Sequence, residues 1–127
     1  MQDPYSNRVR GYFVNPVHAG NLQKSYSSDV SVTVDDRQGN TIQLAAGIDG
    51  DTLRELRFRA LACPHLIAAA EYFCGRFEGR ATTSLREFDP RETVRELQIP
   101  VSKTGRILLL EDAIQLLRQK IGDHSHS

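Results

Sequence analysis

Hydrophobic positions along the chain change period twice. Near the start, Val9, Tyr12 and Phe13 recur at i, i+3 and i+4 behind Ser6, a good N-cap residue, and predict a short helix. Asn15-Pro16 ends it, because the residue before a proline is pushed out of the helical region. Val17 to Ser28 reads as an ordered loop. The period then becomes two. Val30, Val32 and Val34 alternate with Ser31 and Thr33; after the turn Asp35–Asn40, Ile42 and Leu44 share a face of Thr41 to Ala46. After Asp49-Gly50-Asp51, Leu56, Phe58 and Ala60 alternate with Glu55, Arg57 and Arg59. Three strands joined by short turns predict an antiparallel meander with one wet face.

From Pro64 the period is helical. Leu66, Ile67, Ala70, Phe73, Cys74 and Phe77 form one stripe, with Pro64 in the first turn and Gly79 as the stop. Short helices follow at Thr83 to Phe88 and Pro90 to Leu97. Ile99 to Lys103 reads as an extended linker. A last helix runs from about Arg106 to Ile121, with Ile107, Leu110, Ile114, Leu117 and Ile121 inward and Gly122 past its end. This order predicts an α+β fold: a three-stranded antiparallel sheet packed on one face against helices. The expected core is Val32, Ile42, Leu44, Phe58, Leu66, Ala70, Phe73, Ile107, Leu110, Ile114 and Leu117. Residues 1–122 read as one domain and 123–127 as a disordered tail.

Composition narrows the function. The 127 residues suit a single domain with its own core. Sixteen basic and sixteen acidic residues give no net charge, which excludes a general nucleic-acid binder and a polybasic membrane anchor. No apolar run approaches the ~20 residues of a membrane span, and the polar start lacks a signal-peptide core. Two cysteines in such a chain point to a reducing, cytoplasmic setting.

Cys63 is the first candidate for chemistry. It directly precedes the helix at Pro64, where the helix dipole and free amides favour thiolate, a reactive thiol or a metal ligand. A small apolar residue filling the corner is the plain alternative. Cys74 lies on the apolar stripe and reads as core. The two are eleven residues apart along one helix, roughly 16 Å of rise, too far for a disulfide that needs Cα atoms within ~7 Å. His18 and His65 are distant metal-ligand possibilities. C-x-x-C and H-x-x-x-H spacings are absent, and Gly39, Gly47 and Gly50 make no phosphate cradle. No nucleophile-and-base pattern appears, so the chain reads as a non-enzyme.

Several strings, in order, resemble the IscU/NifU N-terminal scaffold family of iron–sulfur cluster assembly. They are Tyr5-Ser6 through Asn15-Pro16 and Ala19-Gly20, Leu56 to Cys63, Ile99-Pro100-Val101-Ser102-Lys103, and Leu110 to Ile114. The resemblance implies a three-stranded sheet packed on helices. It also implies an iron–sulfur cluster or zinc held by three cysteines with an aspartate and a histidine. Carried over residue by residue, the family's A-C-G-D turn falls on Arg37 to Asn40 and its H-C pair on Gly105-Arg106. The ligand positions are then Gln38, Asn40, Cys63, Gly105 and Arg106, of which Cys63 alone keeps its ligand type. The segment Ile99 to Lys103 corresponds to the family's chaperone-recognition stretch, with Val101 in place of a second proline.

The expected function is a degenerate accessory member of iron–sulfur assembly, with no cofactor in the monomer and a cysteine desulfurase or chaperone as partner. Two other readings stand beside it. One is a non-metal interaction module reusing the fold. The other is a thiol- or anion-binding protein using Cys63 and Arg106.

Overall fold

The computed structural model describes residues 6–125. Tyr5, at the head of the first matching string, lies outside them. The elements run α1 (Asn7–Val14), β1 (Ser28–Asp35), β2 (Thr41–Asp49), β3 (Thr52–Leu61), α2 (Pro64–Phe77), α3 (Pro90–Leu97) and α4 (Thr104–Ser125), with 3-10 turns at Thr82–Glu87 and Val101–Lys103. Ser6 caps α1 as its sequence suggests. Its hydroxyl oxygen accepts from the Val9 amide at 3.2 Å and donates to the Leu97 carbonyl at 2.8 Å, tying α1 to the end of α3.

The three strands form one antiparallel sheet in the order β1-β2-β3. Its register sets Val32, Leu44 and Phe58 side by side, flanked by the rows Val34–Ile42–Ala60 and Val30–Ala46–Leu56. That face is covered by α2 and α4, and all eleven residues expected in the core are buried. α2 begins at Pro64 and ends at Phe77 as the stripe predicts, and Gly79 turns the chain at φ +89°.

Four details differ from the sequence expectation. First, β3 starts at Thr52 and carries an extra residue. Gly47 pairs with Glu55 and Ile48 with Leu53, so Arg54 bulges and Leu53 joins Leu56 on the core face. Second, Ile99 to Lys103 is not extended throughout: the Lys103 amide bonds the Pro100 carbonyl at 2.9 Å and closes a 3-10 turn. Third, α4 starts at Thr104, whose hydroxyl donates to the Val101 carbonyl, and the helix continues through Gly122. A helical glycine weakens a helix by about 1 kcal/mol without ending it. The backbone stays helical to Ser125, three residues into the segment read as a tail; residues 126–127 lie outside the described residues.

Fourth, the second face of the sheet is not simply wet. The segment 17–28 straps across it. The Gly20 amide bonds the Phe58 carbonyl at 2.8 Å and the Phe58 amide bonds the His18 carbonyl at 3.0 Å, covering the outer edge of β3. The Tyr26 ring then lies flat on Gly47, where a Cβ would come within 2.2 Å of it. Residues 79–82 cover the rest of that edge through bonds to Asp51 and Leu53. Among the described residues no helix is long and apolar enough to cross a membrane.

Candidate functional site

One end of the sheet gathers the candidate residues. Thr41 pairs with Leu61, so the β1–β2 turn and the chain leaving β3 toward Cys63 emerge together. The turn is built around Asp36. Its carboxylate accepts the amides of Gln38 (2.8 Å) and Asn40 (2.9 Å) and the Asn40 carboxamide (2.8 Å). Gly39 supplies the positive φ the turn requires. These bonds, that from the Asn40 side chain first, hold the Asp36 carboxyl below the usual carboxylate range, and the charge of Arg106 adds to them. Asn40 is thereby buried and committed, while Gln38 is exposed.

Cys63 is the N-cap of α2. Its carbonyl accepts the Leu66 and Ile67 amides at 3.1 and 3.2 Å, and its half-buried thiol makes no capping bond. His65, in the first turn, is buried; burial pushes its imidazole pKa down, and the Lys103 charge adds to that. Lys103 thus acts on the start of α2 and Arg106 on the Asp36 turn. Gly105, between them in the chain, is exposed. The Nε of Arg106 is buried and has no hydrogen-bond partner. The other thiol, Cys74, is fully buried in the core, and burial drives its pKa well up.

The topology therefore brings Gln38, Asn40, Cys63, Gly105 and Arg106 to one end of the sheet. Their chemistry does not fit the zinc or cluster that the family resemblance implies. Zinc wants four deprotonated or neutral ligands, and a cluster wants mostly thiolates. This corner offers one thiol, the buried His65 imidazole, the Asp36 carboxylate already accepting three hydrogen bonds, a carboxamide bonded to it, an exposed carboxamide and a guanidinium, which has no lone pair to give. Among the described residues no three His, Cys, Asp or Glu side chains gather where they could hold a metal ion.

The segment Ile99 to Lys103 leads into the same end. Ile99 anchors it in the core, whereas Pro100 and Ser102 are exposed and Val101 is 87% exposed. On the other flank, an apolar hollow of about 320 Å³ opens between Phe13, Pro16, Ala19, Ala60 and Ile67. Leu61 stands 75% exposed at the end of β3.

A second cluster was not read from the sequence. His18, considered there as a metal ligand, instead bonds Glu71 and Glu78. Glu78 continues to Arg57 at 2.8 Å, Arg57 to Glu55 at 3.1 Å, and Glu55 to the Tyr26 hydroxyl at 2.6 Å. Glu71 and Glu55 are charged residues at buried positions, but local pattern cannot show partners up to 60 residues away.

Comparison with known proteins places this geometry. The model of the NifU-like N terminal domain matches residues 4–122. The iron–sulfur cluster assembly protein IscU of Plasmodium falciparum is 27% identical over 112 residues, covering 87% of this chain and 69% of that protein. The iron–sulfur cluster assembly scaffold protein IscU of Rickettsia prowazekii is 25% identical over 113 residues, covering 87% and 86%. Among solved structures, the N-terminal NifU-like protein of Brucella abortus superposes with a TM-score of 0.70 at 16% identity, covering 93% of this chain and 94% of that one. A putative scaffold protein for the SUF system from Fervidobacterium islandicum gives 0.68 at 13% identity, covering 90% and 96%. At such identities these two likenesses speak for the fold.

Proposed function

The chain belongs to the NifU-like N terminal domain family, and from that premise we propose that it serves iron–sulfur cluster assembly as a non-catalytic accessory protein. The observation that carries this reading is a complete scaffold fold with one free, half-buried thiol, Cys63, at the end of its sheet. Taking the outer sulfur of a desulfurase persulfide needs one attacking thiolate, Cys63, which forms a new S–S bond as the donor's S–S bond breaks and the desulfurase cysteine leaves as thiolate, whereas holding a cluster needs several thiolates. The apolar flank at Leu61 and the exposed turn at Val101 are the surfaces offered to a desulfurase and to a chaperone of the same pathway. Two free thiols suit a reducing compartment, here taken as the cytoplasm.

The experiment is binding to the cysteine desulfurase and the assembly chaperone encoded in the same genome, by calorimetry and size-exclusion chromatography. A 1:1 complex with the desulfurase that weakens in Leu61→Asp supports the proposal, as does chaperone binding that weakens in Val101→Asp. Failure to bind either partner overturns it and leaves an interaction module with other partners, for which the same exposed apolar residues would serve.

A further inference from the structure

We infer that this chain, by itself, binds neither zinc nor an iron–sulfur cluster at the sheet end, because Arg106 and the closed Asp36–Asn40 turn leave that corner poor in donors, with a guanidinium where the family resemblance implies a thiolate. The inference deepens the accessory reading above, yet it can fail without it, since partner binding and metal content are measured separately.

Three observations carry it. The first is the donor count: Cys63 supplies one thiol and His65 one buried imidazole, Gln38, Asn40, Gly105 and Arg106 supply no anionic donor, and among the described residues no three His, Cys, Asp or Glu side chains gather where they could hold a metal ion. The second is commitment. Asp36, the carboxylate of this turn, accepts two amides and a carboxamide, and the buried Asn40 gives its side-chain NH2 to that bond. Releasing either for a metal would open the turn and leave buried polar groups unsatisfied. The third is charge. Arg106, in the first turn of α4, carries a guanidinium cation with no lone pair to give, and Lys103, at the end of the 3-10 turn just before it, adds a second positive charge. Both charges repel a divalent cation, and neither side chain offers it a donor. Neutral water or a small thiol could complete the ligand shell of a metal on Cys63, but neither removes this repulsion.

The test measures metal on the intact chain. Wild type is incubated with a small excess of Zn²⁺, or with Fe²⁺ and sulfide under nitrogen, desalted, and assayed for zinc, iron and the visible absorption of a cluster. The same is done for Cys63→Ser and for the double variant Gln38→Cys with Arg106→Cys, which adds two thiols and removes one cation. Gln38 is exposed, so its replacement leaves the core untouched, and thermal melts check that the double variant is folded. Wild type is expected to retain no stoichiometric metal, and the double variant about one zinc per chain. Wild-type protein that keeps one zinc or one cluster per chain, lost in Cys63→Ser, overturns the inference. A folded double variant that binds no better than wild type overturns the inference that the missing donors and the Arg106 charge are what keep metal off this corner. Should the double variant not fold, the wild-type and Cys63→Ser pair decides alone.

Discussion

The His18 imidazole lies between two carboxylates, with Nδ1 against Glu71 and Nε2 3.2 Å from Oε1 of Glu78. Glu71 also accepts the His18 backbone amide at 2.7 Å, so this one residue fastens the strap 17–28 to α2 by both main chain and side chain. Glu71 is buried and cannot turn to solvent for replacement partners. His18→Ala therefore leaves a buried carboxylate with half its partners. Breaking such a pair costs about 2–4 kcal/mol. Urea denaturation should show a loss of that size with the slope unchanged. A loss under about 0.5 kcal/mol, the range of an ordinary surface substitution, would mean that the network is incidental.

The other end of the strap is fixed by Tyr26 on Gly47. The tyrosine hydroxyl is held by Glu55 at 2.6 Å, so the ring cannot swing aside when a methyl group is placed beneath it. Gly47→Ala should destabilise by about 1–3 kcal/mol through overpacking. In a Tyr26→Ala background the same substitution should be close to neutral, and a double-mutant cycle measures the difference. Equal effects in both backgrounds would show that the ring does not rest on Gly47.

The strands, α2, α4 and the core were legible because period two and period 3.6 are local properties: Val32, Leu44 and Phe58 announce their face within their own strands. The bulge at Arg54 was not, since it is defined by the pairing of β3 with β2 rather than by residue type. Nor was the chain from Glu71 through His18, Glu78, Arg57 and Glu55 to Tyr26. Each member looks like an ordinary polar residue until tertiary folding buries it. At the sheet end, the residues could be named but not joined. Turn position, N-cap position and first helical turn come to one end of the sheet only through the Thr41–Leu61 register and the tertiary packing that lets the Arg106 charge act on Asp36.

Acid should loosen the strap and the β1–β2 turn. Burial acts to raise the Glu55 pKa, but bonds from the Tyr26 hydroxyl and the Gln23 amide, with the Arg57 charge, outweigh it and leave the pKa lowered; Asp36 is lowered by the Asn40 carboxamide first. A carboxyl group whose folded pKa lies below its unfolded value adds stability above the unfolded value, and that stability is lost as pH falls through the folded one. Unfolding free energy should therefore fall below about pH 4. The Asp36→Asn variant should show a shallower acid slope. An identical slope in wild type and variant would exclude Asp36 from the acid response.

Tyr26 gives the opposite signature in base. Its hydroxyl is pushed up to about 12, first by donating to Glu55 and then by burial. A neutral acid whose folded pKa is raised contributes stability that is complete below its unfolded value near 10 and is lost as pH rises through about 12. Tyr26→Phe should remove that part of the alkaline decline and lower stability at neutral pH. An alkaline limb unchanged in Tyr26→Phe would assign the decline to other groups.

The two thiols should react at very different rates. Cys63 is half-buried at the N-cap of α2, and its side chain caps nothing. Cys74 has no exposed surface; it lies beside Phe73 and Phe77 on the buried stripe of α2, and burial holds it protonated well above the ordinary thiol range. An alkylating reagent reaches it only when α2 leaves the sheet, an opening that draws on most of the global stability. With iodoacetamide in native buffer, Cys63 should be modified at least about 100-fold faster than Cys74. Peptide mass spectrometry over a time course separates them. In strong denaturant both should react at the same rate, because burial alone distinguishes them. His18→Ala, by weakening the hold of Glu71 on the strap, should speed Cys74 in proportion to the stability lost and leave Cys63 nearly unchanged. Equal native rates for the two cysteines would mean that α2 opens without global unfolding, and the packing of its apolar stripe against β3 and α4 would then have to be loose.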